Sequence, residues 1–298
     1  MRLATTTNTI VNDRTTKAYT SPGESIRRCV SAGFRVFDMS LMDFRNEHYI
    51  LRNSDWESQI FEVAECASEL KAEFSQAHAP YWSAPFDVRS GTKEELELFD
   101  ISMTRAIKAC AILGVKWVAF HAVTDVANNC EKGLSFSLNL DYFGKYIDLA
   151  KKLGVGIAFE NTVDIDNPLI IRRYHASYEE LCEFADSFHD GCVGVCWDFG
   201  HANRQHYKNQ SAALKFIGKR LKALHVNDNH TIQDTHNIPF LGTVEWEPVM
   251  KTLTEIGYGG DFSFEIKGHV NNVPEPLKDK AIKYAYDVGS YVLSLAKL

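Results

Sequence analysis

The sequence has no long hydrophobic run. No stretch of its 298 residues approaches the ~20 consecutive apolar residues that a membrane-spanning helix needs. The first ten residues, MRLATTTNTI, also lack the apolar core of a secretory signal peptide. These two absences predict a protein that has no membrane partner and works in the cytoplasm.

Paired cysteines and an excess of positive charge are missing as well. The seven cysteines are scattered, form no CxxC pair and are odd in number, so reduced thiols are expected rather than a disulfide framework. Lys and Arg total 32 against 39 Asp and Glu, which gives a net charge of -7. Because proteins that bind nucleic-acid backbones usually present a basic face, a nucleic-acid partner is not expected.

What the sequence does contain is an alternation of apolar and amphipathic runs. Several apolar runs are continuous and rich in Val, Phe, Ile and Ala, which is typical of parallel strands buried on both faces. They occupy residues 3–7, 35–39, 72–77, 115–121, 156–160, 193–197, 223–226 and 261–266. The helical runs occupy residues 25–32, 55–70, 93–113, 140–153, 177–188, 211–217, 246–256 and 278–295. Eight strands alternating with eight helices predict an α/β fold, a (β/α)8 TIM barrel formed by residues 1–298 as one domain.

The lengths of the connections support the same fold. Connections from a helix to the next strand are short and often contain glycine, as at residues 32–34 and 113–115. Connections from a strand to the next helix are long, as at residues 79–92, 162–176, 228–245 and 268–277. Because TIM barrels build their active sites from the loops after the strands, a site is expected there.

Residue types that bind metals recur where the predicted strands end. The histidines among them are His78, His121, His201, His225 and His236, and the acidic residues are Glu160, Asp198, Asp228, Asp234 and Glu265. The last four strands end in Glu160, Asp198, His225 and Glu265, which therefore converge in a barrel and predict a metal site. Three carboxylates and one imidazole suit Zn²⁺ or Mn²⁺, with Mg²⁺ and Co²⁺ as further candidates.

This set of residues also predicts a type of chemistry. A divalent ion with open positions can hold two oxygens of a substrate and stabilise an enediolate. Carboxylates beside that substrate can move protons. The sequence is therefore compatible with an enzyme that transfers a proton at a carbon next to a carbonyl.

At these motifs the chain resembles the sugar phosphate isomerases and epimerases of the xylose isomerase-like barrel superfamily. Residues 24–34, 78–80, 159–161, 196–201, 225–229 and 236–246 carry the resemblance, which extends over essentially the whole chain. The last segment, HNIPFLGTVEW, is similar to the pattern His-x-Pro-x-Gly-x-Gly-x-Ile-Asp-Trp of the family. It departs from that pattern at Ile238, Phe240 and Glu245, which replace Pro, Gly and Asp.

The resemblance implies a metal-dependent isomerase or epimerase whose substrate is a small sugar, a sugar phosphate or a polyol derivative. It implies that Glu160, Asp198, His225 and Glu265 hold the metal, and that the two glutamates also serve as the catalytic acid/base pair on opposite faces of the substrate. It further implies that His201 contacts a substrate oxygen. His78, His121 and Lys267 are additional candidates for substrate binding because they also lie at strand ends.

Endonuclease IV, a zinc phosphodiesterase that cleaves DNA at abasic sites, shares this fold and provides an alternative. Its three-metal site would add further metal ligands, which map onto His78, His121, His201, Asp234 and His236. The acidic net charge argues against the phosphodiesterase. The loop at residues 41–49, LMDFRNEHY, argues against it too, because it has no cluster of basic and aromatic residues to enter DNA. A non-catalytic barrel that binds a ligand and retains the metal is a third interpretation.

Overall fold

The computed structural model describes residues 1–10, 19–46, 48–83, 86–166, 170–206 and 210–296. Eight parallel strands form its main sheet, in the order β10-β1-β2-β3-β4-β5-β8-β9, and β6 and β7 form a separate antiparallel hairpin. The strands are β1 (Leu3–Thr6), β2 (Val36–Ser40), β3 (Glu73–His78), β4 (Trp117–His121), β5 (Gly156–Glu160), β6 (Ile165–Asp166), β7 (Ile170–Ile171), β8 (Val193–Asp198), β9 (Leu221–His225) and β10 (Phe262–Phe264).

The two outermost strands of that order, β9 and β10, meet just beyond the end of β9. The backbone N–H of Val226 donates to the carbonyl of Ser263 at 2.7 Å, and the N–H of Glu265 donates to the carbonyl of Val226 at 3.0 Å. These bonds close the sheet into a barrel. The (β/α)8 TIM barrel that the sequence predicts is thereby confirmed.

Helices connect the strands around the outside of the barrel. They are α1 (Pro22–Ala32), α2 (Trp56–Glu69), α3 (Lys93–Leu113), α4 (Lys132–Lys152), α5 (Tyr178–Asp186), α6 (Phe199–His206), α7 (Ser211–Ile217), α8 (Trp246–Glu255), α9 (Lys267–Asn271) and α10 (Lys278–Leu295). Two of them, α6 and α9, were not expected from the sequence, and both begin within three residues of the end of a barrel strand. Within the described ranges, no helix is long and apolar enough to cross a membrane.

Local capping explains where the helices begin and end. Thr92 and Glu95 form a capping box at the start of α3, since each side chain accepts a hydrogen bond from the backbone N–H of the other. Gly114 ends the same helix with φ at 69°, a left-handed conformation that favours glycine. The helix α4 begins at Lys132 rather than at residue 140 because the Glu131 side chain accepts a bond from the N–H of Leu134.

Successive side chains of a strand point alternately into and out of the barrel, so every second residue fills its interior. Small residues from four neighbouring strands pack together as a cluster, namely Ala119, Ala158, Cys196 and Ala223. Two residues further along the same strands, and therefore on the same inward face, stand His121, Glu160, Asp198 and His225. The residues between them, such as Phe120 and Phe159, point outward into the aromatic core under the helices.

Below the small residues, glycines make room for larger side chains. A Cβ atom on Gly156 would lie 2.4 Å from the Trp117 ring, and one on Gly194 would lie 2.3 Å from Cγ of Lys222. The Nζ atom of Lys222 lies 5.6 Å from the centre of the Trp117 ring. Trp117 and the Lys222 stem therefore fill the lower end of the barrel, and the polar side chains lie at the opposite end.

Candidate metal centre

The structure brings together the four residues that end the last four barrel strands. One ligand atom from each of Glu160, Asp198, His225 and Glu265 lies within 4.8 Å of the other three. All four residues are buried. The first three end β5, β8 and β9, and Glu265 directly follows β10, so period-two alternation and the closed barrel account for their convergence.

The donor atoms of this group fit a cation. Neither carboxylate oxygen of Glu160 makes a hydrogen bond, and Nδ1 of His225, 3.0 Å from Oε2 of Glu160, is also without one. Buried carboxylates in proteins are normally hydrogen-bonded or paired, because burying a bare charge is costly. A divalent ion would satisfy both residues, and the oxygen-rich set with one imidazole suits Mn²⁺ or Zn²⁺.

Backbone and amide groups orient Asp198. Its Oδ1 atom accepts a bond from the N–H of His201 at 2.7 Å, and its Oδ2 atom accepts one from Nδ2 of Asn227 at 2.8 Å. Asn161 bonds to the backbone of Asp198 in both directions, as acceptor at 2.6 Å and as donor at 3.0 Å. These bonds fix the carboxylate at the edge of the cluster, and burial raises its pKa to about 6.

Two residues that the sequence did not single out hold His225 in position. Nε2 of His225 lies 3.2 Å from Oδ2 of Asp38, which also accepts a bond from Nε2 of Gln76 at 2.6 Å. A carboxylate that accepts the second ring N–H of a ligating histidine fixes the ring and leaves Nδ1 for the metal. The available signal was Asp38 between the apolar residues Phe37 and Met39 of β2, and Gln76 two residues before His78 in β3.

His78 and His121 also lie against Glu160, on the oxygen that His225 approaches. Their Nε2 atoms are 3.4 Å and 3.2 Å from Oε2 of Glu160 and 3.1 Å from each other. Burial lowers the pKa of both rings, to about 4 for His121, so both are neutral near pH 7. His78, Glu160 and His225 also form a second group of metal-type ligands that shares two members with the first.

His201, Asp234 and His236 form a chain at the rim of the barrel. Oδ2 of Asp234 lies 3.4 Å from Nε2 of His201 and 2.9 Å from Nε2 of His236. Burial lowers the pKa of His236, but the charge of Asp234 outweighs it and raises the value to about 9. Their other ring nitrogens bond to main-chain carbonyls, His201 to Asn161 and His236 to Glu265. Among the described residues, these three do not join either compact ligand group.

Lys267 lies where the cluster meets an open cavity. Its Nζ atom is 3.6 Å from Oε1 of Glu265. Lys267 and Tyr81 both line a cavity of about 390 Å³, whose other walls include Met42, Phe44 and His48 from the loop after β2. The cavity lies beside the four candidate metal ligands, none of which lines it, so it offers room for a ligand that also reaches the cluster.

Asp228 has a different role from the other strand-end carboxylates. It accepts bonds from the backbone N–H groups of Asn229, Phe240 and Val244 and from Nε1 of Trp246, at 2.9–3.1 Å. A carboxylate with four donors has no free electron pair for a metal. Its placement at a strand end had suggested a ligand, but it instead ties the loop that carries Asp234 and His236 to the barrel.

Comparison with known proteins gives the following relatives. The family model of the xylose isomerase-like TIM barrel matches residues 26–287. An uncharacterized protein of Methanocaldococcus jannaschii is 28% identical over 149 residues, which cover 50% of this chain and 48% of that protein, so the match spans about half of this curated relative.

Two crystal structures align with nearly the whole chain. A D-tagatose 3-epimerase-like protein superposes with a TM-score of 0.76 at 17% identity, covering 100% of this chain and 98% of its own. The D-psicose 3-epimerase of Clostridium cellulolyticum H10, with D-tagatose, superposes with a TM-score of 0.73 at 18% identity, covering 98% and 99%. At these identities the two structures establish a shared fold.

Proposed function

The chain belongs to the xylose isomerase-like TIM barrel family, and from this premise we propose that it is a divalent-metal-dependent sugar isomerase or epimerase. The observation that carries the proposal is the convergence of Glu160, Asp198, His225 and Glu265, with the Glu160 carboxylate left without a hydrogen bond. These four residues would hold the ion. When bound, a divalent ion supplies stabilisation of the negative charge that develops on a carbonyl oxygen as the neighbouring proton leaves.

Glu160 and Glu265 are the proposed acid/base pair. They extend from β5 and β10, with β8 and β9 between them in the sheet order, so a ligand at the centre of the mouth has one glutamate on each side. Burial raises the pKa of Glu265, but the charges of His236, Lys267 and His225 outweigh it and lower the value to about 2. His225 and His121 likewise hold the pKa of Glu160 well below its usual range against the effect of burial. Both carboxylates are therefore ionised at neutral pH and able to accept a proton.

Two bases explain how a configuration can be inverted. One glutamate removes the proton from the carbon beside the carbonyl, and the other returns a proton to the opposite face. A single base returns the proton only to the face from which it came. Isomerisation between an aldose and a ketose needs only one base for the proton that moves between adjacent carbons on one face, and a second group to move a proton between the two oxygens.

The remaining mouth residues are proposed to bind the substrate. His78 and His121 are neutral rings that can donate to or accept from sugar hydroxyl groups, and His201 and Lys267 add donors from the other side. The similar epimerase from Clostridium cellulolyticum H10 was crystallised with a ketose, D-tagatose, which supports a small sugar as the substrate class. Seven free cysteines support our placement of the reaction in the cytoplasm.

Exchange of solvent deuterium tests the proposal directly. In the metal-loaded protein, a screen of ketoses, ketose phosphates and inosose-type polyols should reveal a compound that gains deuterium beside its carbonyl. Glu265→Gln keeps the size and one oxygen of the side chain but removes the base, so exchange should fall by ~10²-fold or more. The control is Glu69→Gln, which makes the same chemical change at an exposed position in α2 and should leave exchange unaltered.

Parent-rate exchange in Glu265→Gln would contradict the two-carboxylate mechanism. A barrel that only binds its ligand would retain metal but show no exchange with any compound. The alternative zinc phosphodiesterase has one supporting observation, the placement of His201, Asp234 and His236 beside the four-residue group. Three bound metal ions by elemental analysis, together with cleavage of abasic-site DNA, would favour it, whereas a single ion favours the isomerase.

A further inference from the structure

Arg173 is a buried cation for which the protein provides no partner. The residue is 7% exposed, and its Nε atom is buried without a hydrogen bond. Among the described residues, its guanidinium makes neither a hydrogen bond nor an ion pair, and its central carbon lies 4.0 Å from the centre of the Phe86 ring. The adjacent Arg172 behaves in the ordinary way, since it is largely exposed and pairs with Asp164 at 2.6 Å.

The backbone around Arg173 is held firmly in place. Its own N–H donates to Oδ1 of Asp164 at 2.9 Å, and the next N–H, of Tyr174, donates to Oγ1 of Thr124 at 3.0 Å. The carbonyl of Arg173 accepts a bond from Ala176 at 3.1 Å. The backbone at this position is therefore fixed between the loops that follow β4 and β5, and the side chain is buried there.

Arg173 belongs to the loop after β5, the strand that ends in Glu160, one of the candidate metal ligands. Burial lowers the pKa of Arg173 to about 10, and the charges of Tyr81, Glu160 and Asp234 act on it in the opposite direction. A group with this pKa is protonated at neutral pH. The guanidinium thus carries a full positive charge, which Glu160 and Asp234 at the mouth of the barrel attract.

The nearby carboxylates are already engaged. Asp164 pairs with Arg172, and Asp234 lies between His201 and His236. Glu160 belongs to the proposed metal ligands. A charge taken out of water is normally compensated by a partner, and a ring contact alone compensates a guanidinium only weakly. The missing partner is thus most simply an anion that arrives from solution.

We propose that Arg173 binds an anionic oxygen group of the substrate, a phosphate or a carboxylate, and that the enzyme acts on a charged sugar derivative in preference to the neutral sugar. The planar guanidinium can bind two oxygens of either group at once. This assignment rests on the proposed function for the meaning of "substrate", but the binding of the anion does not depend on catalysis.

Three ligands that differ only at one carbon provide the test. D-fructose, D-fructose 6-phosphate and D-fructuronate carry a hydroxyl, a phosphate and a carboxylate at carbon six. Calorimetric titration into the manganese-loaded protein should show that at least one anionic ligand binds about tenfold or more tightly than D-fructose, the scale of a charge-assisted bidentate bond. The identity of that ligand distinguishes phosphate from carboxylate.

Variants at residues 172 and 173 assign the effect to one side chain. In Arg173→Gln the preference for the anionic ligand should disappear, and in Arg173→Lys part of it should return because the charge is restored without the planar group. Arg172→Gln removes the same charge from the neighbouring exposed position and should keep the full preference. Equal binding of all three ligands by the parent protein, or an anion preference that survives Arg173→Gln, would overturn the proposal.

Thermal unfolding without anions separates ligand binding from a structural role. A buried charge without a partner does not stabilise the folded protein, and Arg173→Met removes that charge. The melting temperature of this variant in anion-free buffer should therefore equal or exceed that of the parent. A lower melting temperature together with an intact anion preference in Arg173→Gln would make the residue structural.

Anion binding that depends on Arg173 without deuterium exchange would contradict the proposed function alone. Efficient exchange of D-fructose, unchanged in Arg173→Gln, would contradict this proposal alone.

Discussion

The charged side chains at the two ends of the barrel differ in whether the protein itself provides their partners. At the lower end, Arg2 bonds to both oxygens of Asp261 at 2.9 Å and also pairs with Glu73, so the charges there have partners within the protein. At the mouth, Glu160 and Arg173 are buried more deeply. Neither carboxylate oxygen of Glu160 makes a hydrogen bond, and Nε of Arg173 makes none. The charges of Arg2, Asp261 and Glu73 are paired within the protein, whereas the proposed function assigns the partners of Glu160 and Arg173 to a metal ion and a substrate. The contrast separates residues that stabilise the barrel from residues that act on a ligand.

Removing the charge of Glu160 should have the largest effect. Glu160→Gln should lose the ion and reduce deuterium exchange by about 10²–10⁴-fold, the usual scale for a lost catalytic base. The melting temperature of the metal-free variant should change little, because a neutral amide replaces a buried carboxylate that accepts no hydrogen bond and whose burial offsets its attraction to the neighbouring imidazoles. Elemental analysis and thermal unfolding in chelator measure the two effects. A clear fall in the metal-free melting temperature would mean that the mouth stabilises the fold as the lower end does.

Disrupting the support of His225 should have an intermediate effect. Asp38→Asn leaves all four ligands in place but removes the carboxylate 3.2 Å from Nε2 of His225. Metal affinity should fall by about 10–100-fold, the range for residues that orient a metal-bound histidine. Competition with a coloured chelator measures the affinity, and Asp148→Asn, at an exposed position in α4, provides the control. Unchanged affinity would show that the ring is held by packing alone.

Removing a charge from the lower end should have the smallest effect. Arg2→Ala deletes the ion pairs with Asp261 and Glu73, but the Arg2 side chain is 54% exposed. The free energy of unfolding should fall by about 1 kcal/mol or less, as for other exposed pairs, with metal affinity unchanged. Urea denaturation and the chelator competition measure these quantities. A loss of metal affinity in Arg2→Ala would show that the lower end of the barrel influences metal binding at the mouth.

The same variant has a pH dependence of defined sign. Burial raises the pKa of Asp261, but the hydrogen bonds from Arg2 outweigh it, and the folded-state pKa lies below the ordinary value. The stability that this pair provides is therefore fully present above the unfolded pKa of about 3.9 and is lost as the pH falls through the lower folded value. The difference in unfolding free energy between the parent and Arg2→Ala should be constant near neutral pH and shrink in acid.

The sequence predicted well whatever depends on strand periodicity. Inward positions recur every second residue, and the strands of a closed barrel end at one rim, so strand-end residues such as Glu160 and His225 could be expected to meet. The fold followed from the same alternation. The metal-ligand and catalytic roles of these residues remain predictions that the experiments above test.

The periodicity of the sequence did not predict contacts between loops and strands that are distant along the chain. The sequence predicted that Asp198 joins the cluster, but it gave no indication that Asp228, three residues past the end of β9, ties down a loop. Asp38 and Gln76 meet only because β2 and β3 are neighbours in the barrel. Arg173 looks like Arg172 in the sequence, and their different burial arises from the loops packed around them.

The cavity beside the metal centre has a consequence for altering specificity by laboratory evolution. Its walls include Met42, Phe44 and His48 from the loop after β2, whereas the ligand set comes from β5, β8, β9 and the end of β10. The cavity residues of this loop and the candidate metal ligands thus lie in separate stretches of the chain. A library that randomises positions 42, 44 and 48 changes the shape offered to new compounds and leaves the reactive groups untouched.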